Sequence, residues 1–118
     1  MKEKRRAPRT VLECTSIDIY PKNVQTEPEL RGKIYDISPL GAKFISQKPY
    51  IIGSIIYFAL LLPSHGSLKG ISGIVLSCEQ KNSNEFHIAI EFKDIDYYQK
   101  FLIENYIKVM KSWNENIK

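Results

Sequence analysis

The chain has 118 residues, of which 43% are hydrophobic and 25% are charged, and its formal net charge at pH 7 is +4. This balance excludes an intrinsically disordered protein and predicts one globular domain with a hydrophobic core. The longest apolar run, residues 55–62, is far shorter than the roughly 20 residues that a membrane-spanning helix requires, so we expect no membrane insertion.

The cysteines and the first residues indicate the compartment. Cys14 and Cys78 do not follow the spacing of metal ligands, so we expect neither a metal site nor a resident cofactor. The N-terminal residues are basic and lack the apolar stretch of a signal peptide. We therefore predict a cytoplasmic protein in which both thiols are reduced.

The first predicted element is a basic arm. It contains the pattern RxxxR, formed by Arg5 and Arg9, and Arg6 and Lys4 add two further cations. Pro8 has no backbone N–H and disfavours a helix before it, so the arm is predicted to be extended. A guanidinium is a planar fork that can pair with the O6 and N7 acceptors of guanine or with phosphate oxygens. Taken alone, the same run also fits a solvated basic tail.

Alternating apolar residues next predict five or six antiparallel strands. The first covers residues 11–20 and changes phase near Ser16, which indicates a bulge. The later predicted strands, the last two separated by a turn at residues 80–84, cover residues 30–35, 42–44, 54–62, 68–78 and 86–92. Glycines within residues 68–78 are typical of the curvature of a small barrel. The fold class is therefore predicted to be all-β, with a closed or nearly closed barrel.

A second motif, DxSxxG, joins the second and third predicted strands. It consists of Asp36, Ser38 and Gly41. The turn would hold a carboxylate beside a hydroxyl, and a glycine allows the backbone to come close to a ligand. An ionised Asp36 accepts hydrogen bonds, and Ser38 can donate or accept beside it. Asp, Ser, Pro and Gly are also simply common in turns, so this motif alone would not decide between the two interpretations.

The period of the apolar residues changes after Asp96, which predicts an amphipathic helix over residues 96–114 with Asp94 or Asp96 as its N-cap. The apolar positions of this helix are Tyr98, Phe101, Leu102, Tyr106, Val109, Met110 and Trp113. We expect this face to pack on the barrel, and the alternative is a dimer or partner interface.

The two motifs, in this order, resemble the signature of the PilZ domain, the bacterial receptor module for cyclic di-GMP. The resemblance covers nearly the whole chain. It implies an antiparallel six-stranded PilZ-type barrel at residues 10–118, preceded by the arm at residues 1–10 and ending in the helix at residues 96–114. It also implies a non-catalytic receptor that relays cyclic di-GMP to motility, adhesion or biofilm control through a downstream protein partner.

The resemblance further implies where the nucleotide contacts fall. Arg5 and Arg9 would contact base and phosphate, as would Asp36 and Ser38. Gly41 would leave room for the ligand, while Arg6 and Lys4 would add positive charge. Because a cation directly before RxxxR could neutralise a second nucleotide, we predict two cyclic di-GMP molecules per chain. Two mild departures from the family pattern are Pro39 inside the second motif and Ala89, where family members often have glycine.

Other function classes fit the sequence less well. The chain contains neither GxGxxG nor GxxxxGK, and Ser64 beside His65 lacks the third group that a catalytic triad needs. We therefore predict that the protein is not an enzyme. The alternative is a small basic barrel that binds single-stranded nucleic acid. However, the strand aromatics follow the core alternation and the positive charge lies in the arm, so we do not expect nucleic acid as a partner. A PilZ-like scaffold without ligand binding is a third possibility, although both motifs are intact. We expect a monomer or a weak homodimer.

Overall fold

The computed structural model describes residues 15–21 and 27–116, with side chains described as far as residue 112. These residues form six strands and one helix, namely β1 (Ser16–Tyr20), β2 (Leu30–Ile37), β3 (Gly41–Ser46), β4 (Ile55–Leu62), β5 (Gly66–Asn82), β6 (Glu85–Asp94) and α1 (Tyr97–Asn116). The predicted basic arm and the first four residues of the predicted first strand lie outside the described residues. In the described part of the chain, strand β1 covers Ser16–Tyr20, and the Thr15 carbonyl directly before it accepts a hydrogen bond from the Ile34 N–H at 3.0 Å.

The strands close into a barrel in the order β1, β2, β3, β6, β5, β4, and every pairing is antiparallel. Successive side chains of a strand point to opposite faces, so the apolar residue of each alternating pair enters the interior. The interior is filled by side chains from all six strands, among them Ile17, Ile19, Ile34, Phe44, Phe58, Leu60, Ile71, Val75, Ile88 and Ile90. The predicted all-β antiparallel barrel is confirmed.

The turn between β5 and β6 is tighter than the sequence suggests. The predicted turn over residues 80–84 contains the observed one but begins too early, because β5 continues to Asn82 and two residues, Ser83 and Asn84, separate the strands. The Asn82 side chain closes this turn. Its Oδ1 accepts a hydrogen bond from the Asn84 N–H at 3.0 Å, and its Nδ2 donates to Glu85 at 3.2 Å. The polar residues 80–82, whose composition is typical of a loop, therefore form the end of β5 and pair with the start of β6.

The helix begins where the sequence predicts. Asp96 is its N-cap: the Oδ1 atom accepts a hydrogen bond from the Gln99 N–H at 2.7 Å, and Gln99 Oε1 accepts one from the Asp96 N–H at 3.2 Å. This reciprocal pair is a capping box, which satisfies two backbone donors at the start of the helix. Gln99 Nε2 also donates to the Lys69 carbonyl at 2.7 Å, which ties the first helical turn to β5. In the described part of the chain, no helix is long and apolar enough to cross a membrane.

The helix packs on the barrel through a stripe that coincides only in part with the predicted one: Leu102, Tyr106 and Met110 of the predicted face contact the core. Ile103 and Tyr106 are fully buried in the same cluster as the barrel interior, whereas Tyr98, Phe101 and Val109 are exposed. The prediction that the helix packs on the barrel is confirmed, but the predicted face is partly wrong. Two apolar stripes run along this helix about one residue apart, and periodicity alone does not distinguish them.

The environment of Tyr50 makes the stability of the protein depend on alkaline pH. Its hydroxyl donates to Glu29 at 3.0 Å, and burial is the main cause that raises the pKa of the Tyr50 phenol well above its usual value. An unfolded tyrosine ionises near pH 10, whereas Tyr50 in the folded protein keeps its proton to higher pH. The free energy of unfolding therefore contains the full contribution of this phenol below about pH 10, and it falls as the pH rises further because only the unfolded state ionises. Urea unfolding at pH 8 and pH 11 should therefore show a smaller alkaline loss of stability in Tyr50→Phe than in the wild type. Equal losses in the two proteins would contradict this prediction.

Candidate functional site

The turn between β2 and β3 is held by the serine of the second motif. The Ser38 N–H donates to the Gly41 carbonyl at 2.9 Å, and Ser38 Oγ accepts from the N–H groups of Leu40 and Gly41 at 3.1 and 3.3 Å. The hydroxyl proton has a weaker contact, since Ser38 Oγ lies 3.5 Å from the Gly41 carbonyl oxygen. Ser38 therefore shapes its own turn with its lone pairs and keeps its O–H able to donate outward.

The glycine of the motif has a packing role in this structure. Gly41 pairs with Glu91 across β3 and β6, and a Cβ at Gly41 would lie 2.1 Å from the Ile90 carbonyl oxygen. A separation of 2.1 Å is impossible between nonbonded atoms, so any side chain would push the two strands apart. The need for glycine here follows from strand packing. Its predicted role of leaving room for a ligand stays a prediction.

A bulge in β2 turns the aspartate of the motif outward. Ile34 pairs with Phe44 and Asp36 pairs with Lys43, so β2 contains one more residue than β3 between these two pairs. Tyr35 and Asp36 consequently both face outward, whereas strict alternation after the buried Ile34 would have turned Asp36 into the barrel. The Asp36 side chain is 60% exposed and lies 4.0 Å from Lys43 Nζ, a long and solvated ion pair. Its carboxylate can therefore accept hydrogen bonds from a ligand.

The outward faces of four neighbouring strands form an open groove of about 370 Å³ beside this turn. The groove is lined by Asp36, Ile37, Ser38, Leu40, Gly41, Ala42, Lys43, Leu76, Ala89, Ile90 and Glu91. Ala89 lies opposite Lys43 on the neighbouring strand, and its small side chain contributes to the depth of the floor. The structure thus brings Asp36, Ser38 and Gly41 together, as the sequence predicted.

Four residues near the motif were not identified from the sequence as site residues. Lys43, Leu76 and Glu91 line the groove, and Tyr35 lies beside Asp36 on the β2 bulge. Burial, followed by the charge of Asp36, raises the pKa of the Tyr35 phenol, so this hydroxyl is a neutral donor at physiological pH. Tyr35 and Lys43 flank the motif in the sequence, whereas Leu76 and Glu91 reach the site through strand register, so no local pattern marks those two.

The charges of the groove have a direct consequence for an anionic ligand. The described lining residues include two carboxylates, Asp36 and Glu91, and one cation, Lys43. A ligand with two phosphates would therefore meet little net attraction from this surface alone. Additional cations would have to come from elsewhere, and the predicted ones, Lys4, Arg5, Arg6 and Arg9, lie outside the described residues.

The family model of the PilZ domain matches residues 3–108, which includes both motifs and all six strands. The chain belongs to the PilZ domain family. This confirms the resemblance recognised in the sequence. No curated protein sequence matches the chain significantly.

Solved structures share the PilZ fold at low sequence identity. K. pneumonia MrkH in its apo state matches 88% of this chain and 49% of its own, with a TM-score of 0.71 and 16% identity. The MrkH complex with c-di-GMP matches the same shares with a TM-score of 0.69 and 16% identity. The PilZ domain of YcgR from Escherichia coli, solved with c-di-GMP, matches 86% of this chain and 85% of its own, with a TM-score of 0.66 and 12% identity. This PilZ chain thus spans about half the length of the MrkH chains.

In the described part of this PilZ domain, Ser64 and His65 are not arranged as a catalytic pair. The Ser64 hydroxyl donates to the Pro63 carbonyl at 2.5 Å, whereas it lies 3.5 Å from His65 Nδ1, too far for an activated nucleophile. The His65 ring packs instead against Tyr106 with a centroid separation of 5.3 Å. Among the described residues, no group of His, Cys, Asp and Glu side chains is arranged to hold a metal ion.

Proposed function

We propose that this PilZ domain is a non-catalytic receptor for cyclic di-GMP. The observation that carries the proposal is the groove at the β2–β3 turn, where the Asp36 carboxylate and the Ser38 hydroxyl face the same open space. Membership of the PilZ family supports it. Further support comes from YcgR and MrkH, which share this fold and were each solved with c-di-GMP.

The side chains of the groove suit the two chemical parts of the ligand. The Asp36 carboxylate accepts hydrogen bonds and so complements the N–H groups of guanine. The Ser38 hydroxyl can donate to a phosphate oxygen. The acidic balance of the groove means that Arg5 and Arg9 must supply most of the attraction for the phosphates, through bidentate pairing. Arg6 and Lys4 add to the local positive potential.

Binding would convert the messenger into a change of shape. The arm closes over the nucleotide when Arg5 and Arg9 pair with it, and the ligand stabilises this closed arrangement because its contacts exist only there. The closed surface then selects a downstream protein partner in the cytoplasm that controls motility, adhesion or biofilm formation. We propose that the receptor acts as a monomer or a weak homodimer.

Isothermal titration calorimetry tests the proposed function. Cyclic di-GMP should bind, whereas cyclic di-AMP should bind more weakly by about 1–3 kcal/mol per base, because adenine presents the opposite donor and acceptor pattern to Asp36 and the arginines. GTP should also bind more weakly, since it offers one base instead of two. We expect a molar ratio near two that falls toward one in Lys4→Leu. Absence of cyclic di-GMP binding would refute the proposal, and equal affinity for a short single-stranded oligonucleotide would refute it in favour of the nucleic-acid alternative.

A further inference from the structure

The groove has a second wall that neither motif contains. On β5, Val75 pairs with Ile90 and Ser77 pairs with Ala89, so one extra residue, Leu76, is inserted between these two pairs. This bulge places Leu76 and Ser77 side by side on the outer face, as the β2 bulge does for Tyr35 and Asp36. The groove therefore lies between two bulged strand segments, one with a carboxylate and one with an apolar side chain.

The backbone that carries Leu76 is fixed on both sides. On one side it pairs with β6. On the other, the Val75 carbonyl accepts a hydrogen bond from the Gly53 N–H at 2.8 Å, and the Val75 N–H donates to the Ser54 carbonyl at 3.0 Å. The Leu76 side chain is nevertheless 53% exposed, and it lines the groove. Leu76 is therefore a preorganised apolar contact at the edge of a polar site.

We propose that Leu76 packs against the purine ring system of the nucleotide whose polar edge is held by Asp36. This inference rests on the proposed function and adds to it a specific apolar contact. Asp36 and Leu76 lie on β2 and β5, with β3 and β6 between them, and both line the same groove. Ala89 also lines it, and its small side chain leaves room for a purine to lie between Asp36 and Leu76.

The chemistry of each wall suits a different part of the base. Asp36 can recognise the N–H groups at the edge of guanine, whereas the ring faces carry no strong hydrogen-bonding group and gain from burial against an aliphatic side chain. A leucine contact improves affinity without distinguishing guanine from adenine. Selectivity would therefore depend on Asp36 and the arginines, and Leu76 would contribute affinity alone.

Two variants of similar size test the inference by calorimetry with cyclic di-GMP. Leu76→Met keeps the apolar contact and should bind within about twofold of the wild type. Leu76→Asn loses it and should bind about fivefold to tenfold more weakly, the fold-change expected when roughly half of a leucine side chain is no longer buried. The loss should be the same at low and high salt, because an apolar contact is not screened. Cyclic di-AMP should lose affinity in Leu76→Asn by the same factor as cyclic di-GMP.

Matched controls separate this inference from the proposed function. Val109→Asn makes a comparable change at an exposed apolar position of the helix, and Ser77→Ala changes the neighbouring residue of the same bulge, which does not line the groove. Both should bind as the wild type does. If the wild type binds cyclic di-GMP but Leu76→Asn binds equally well, Leu76 does not contact the purine, and this inference fails while the proposed function stands. If the wild type does not bind, the proposed function fails as well.

Discussion

Arg9→Ala weakens cyclic di-GMP binding by about 2–4 kcal/mol and leaves the melting temperature of the free protein unchanged. This is the expected result, because the proposed bidentate charge-assisted contact would be lost from a site whose described lining offers one cation against two carboxylates. Arg5→Ala should behave in the same way. Titration calorimetry measures the affinity, and thermal unfolding without ligand measures the stability.

Arg31 provides the opposite control. Its Nε and Nη2 atoms donate to the buried Asp18 carboxylate at 2.6 and 2.9 Å, and it does not line the groove. Arg31→Ala should therefore lower the melting temperature, because Asp18 loses its bidentate partner, while the affinity for cyclic di-GMP stays unchanged. If Arg9→Ala and Arg5→Ala both bind with wild-type affinity, the assignment of the arm to the site is wrong.

Tyr106→Ala is expected to destabilise the protein by about 3–5 kcal/mol, the scale for removing a fully buried aromatic side chain. Tyr106 is 0% exposed and packs in the same cluster as the barrel interior. Its hydroxyl forms a buried hydrogen bond with Thr15 Oγ1, and its ring meets the His65 ring edge-on. Removal of the ring would leave a cavity between helix and barrel. Chemical denaturation followed by circular dichroism measures the change.

The exposed tyrosine of the same helix is the matched control. Tyr98 is 66% exposed, so Tyr98→Ala should change stability by no more than about 0.5 kcal/mol. Analytical ultracentrifugation of both variants completes the test. A Tyr106→Ala protein that unfolds like the wild type but changes its oligomeric state would show that the helix is an interface and is not part of the core.

The candidate site was predictable from the sequence to the extent that it is local. Asp36, Ser38 and Gly41 lie within six residues, and a turn between two strands necessarily keeps them together. The reason for the glycine was not predictable, because it depends on the Ile90 carbonyl of a strand almost fifty residues further along the chain. Leu76 was missed for the same reason. An exposed leucine on a strand carries no signal until register shows which groove it lines.

The sequence by itself determined the family, the all-β barrel, the position of the motif turn and the start of the helix, with its N-cap narrowed to Asp94 or Asp96. These features depend on side chains that interact with backbone a few residues away, or on alternation along one strand. Only the tertiary structure decided the two bulges and the helical stripe that enters the core. Each bulge is set by the register with the next strand, because Ile34 and Asp36 pair with consecutive residues of β3, and Val75 and Ser77 pair with consecutive residues of β6. The helix turns Ile103 and Tyr106 inward because the barrel, Thr15 and His65 provide their partners, and none of these contacts is encoded in the spacing of residues along the helix.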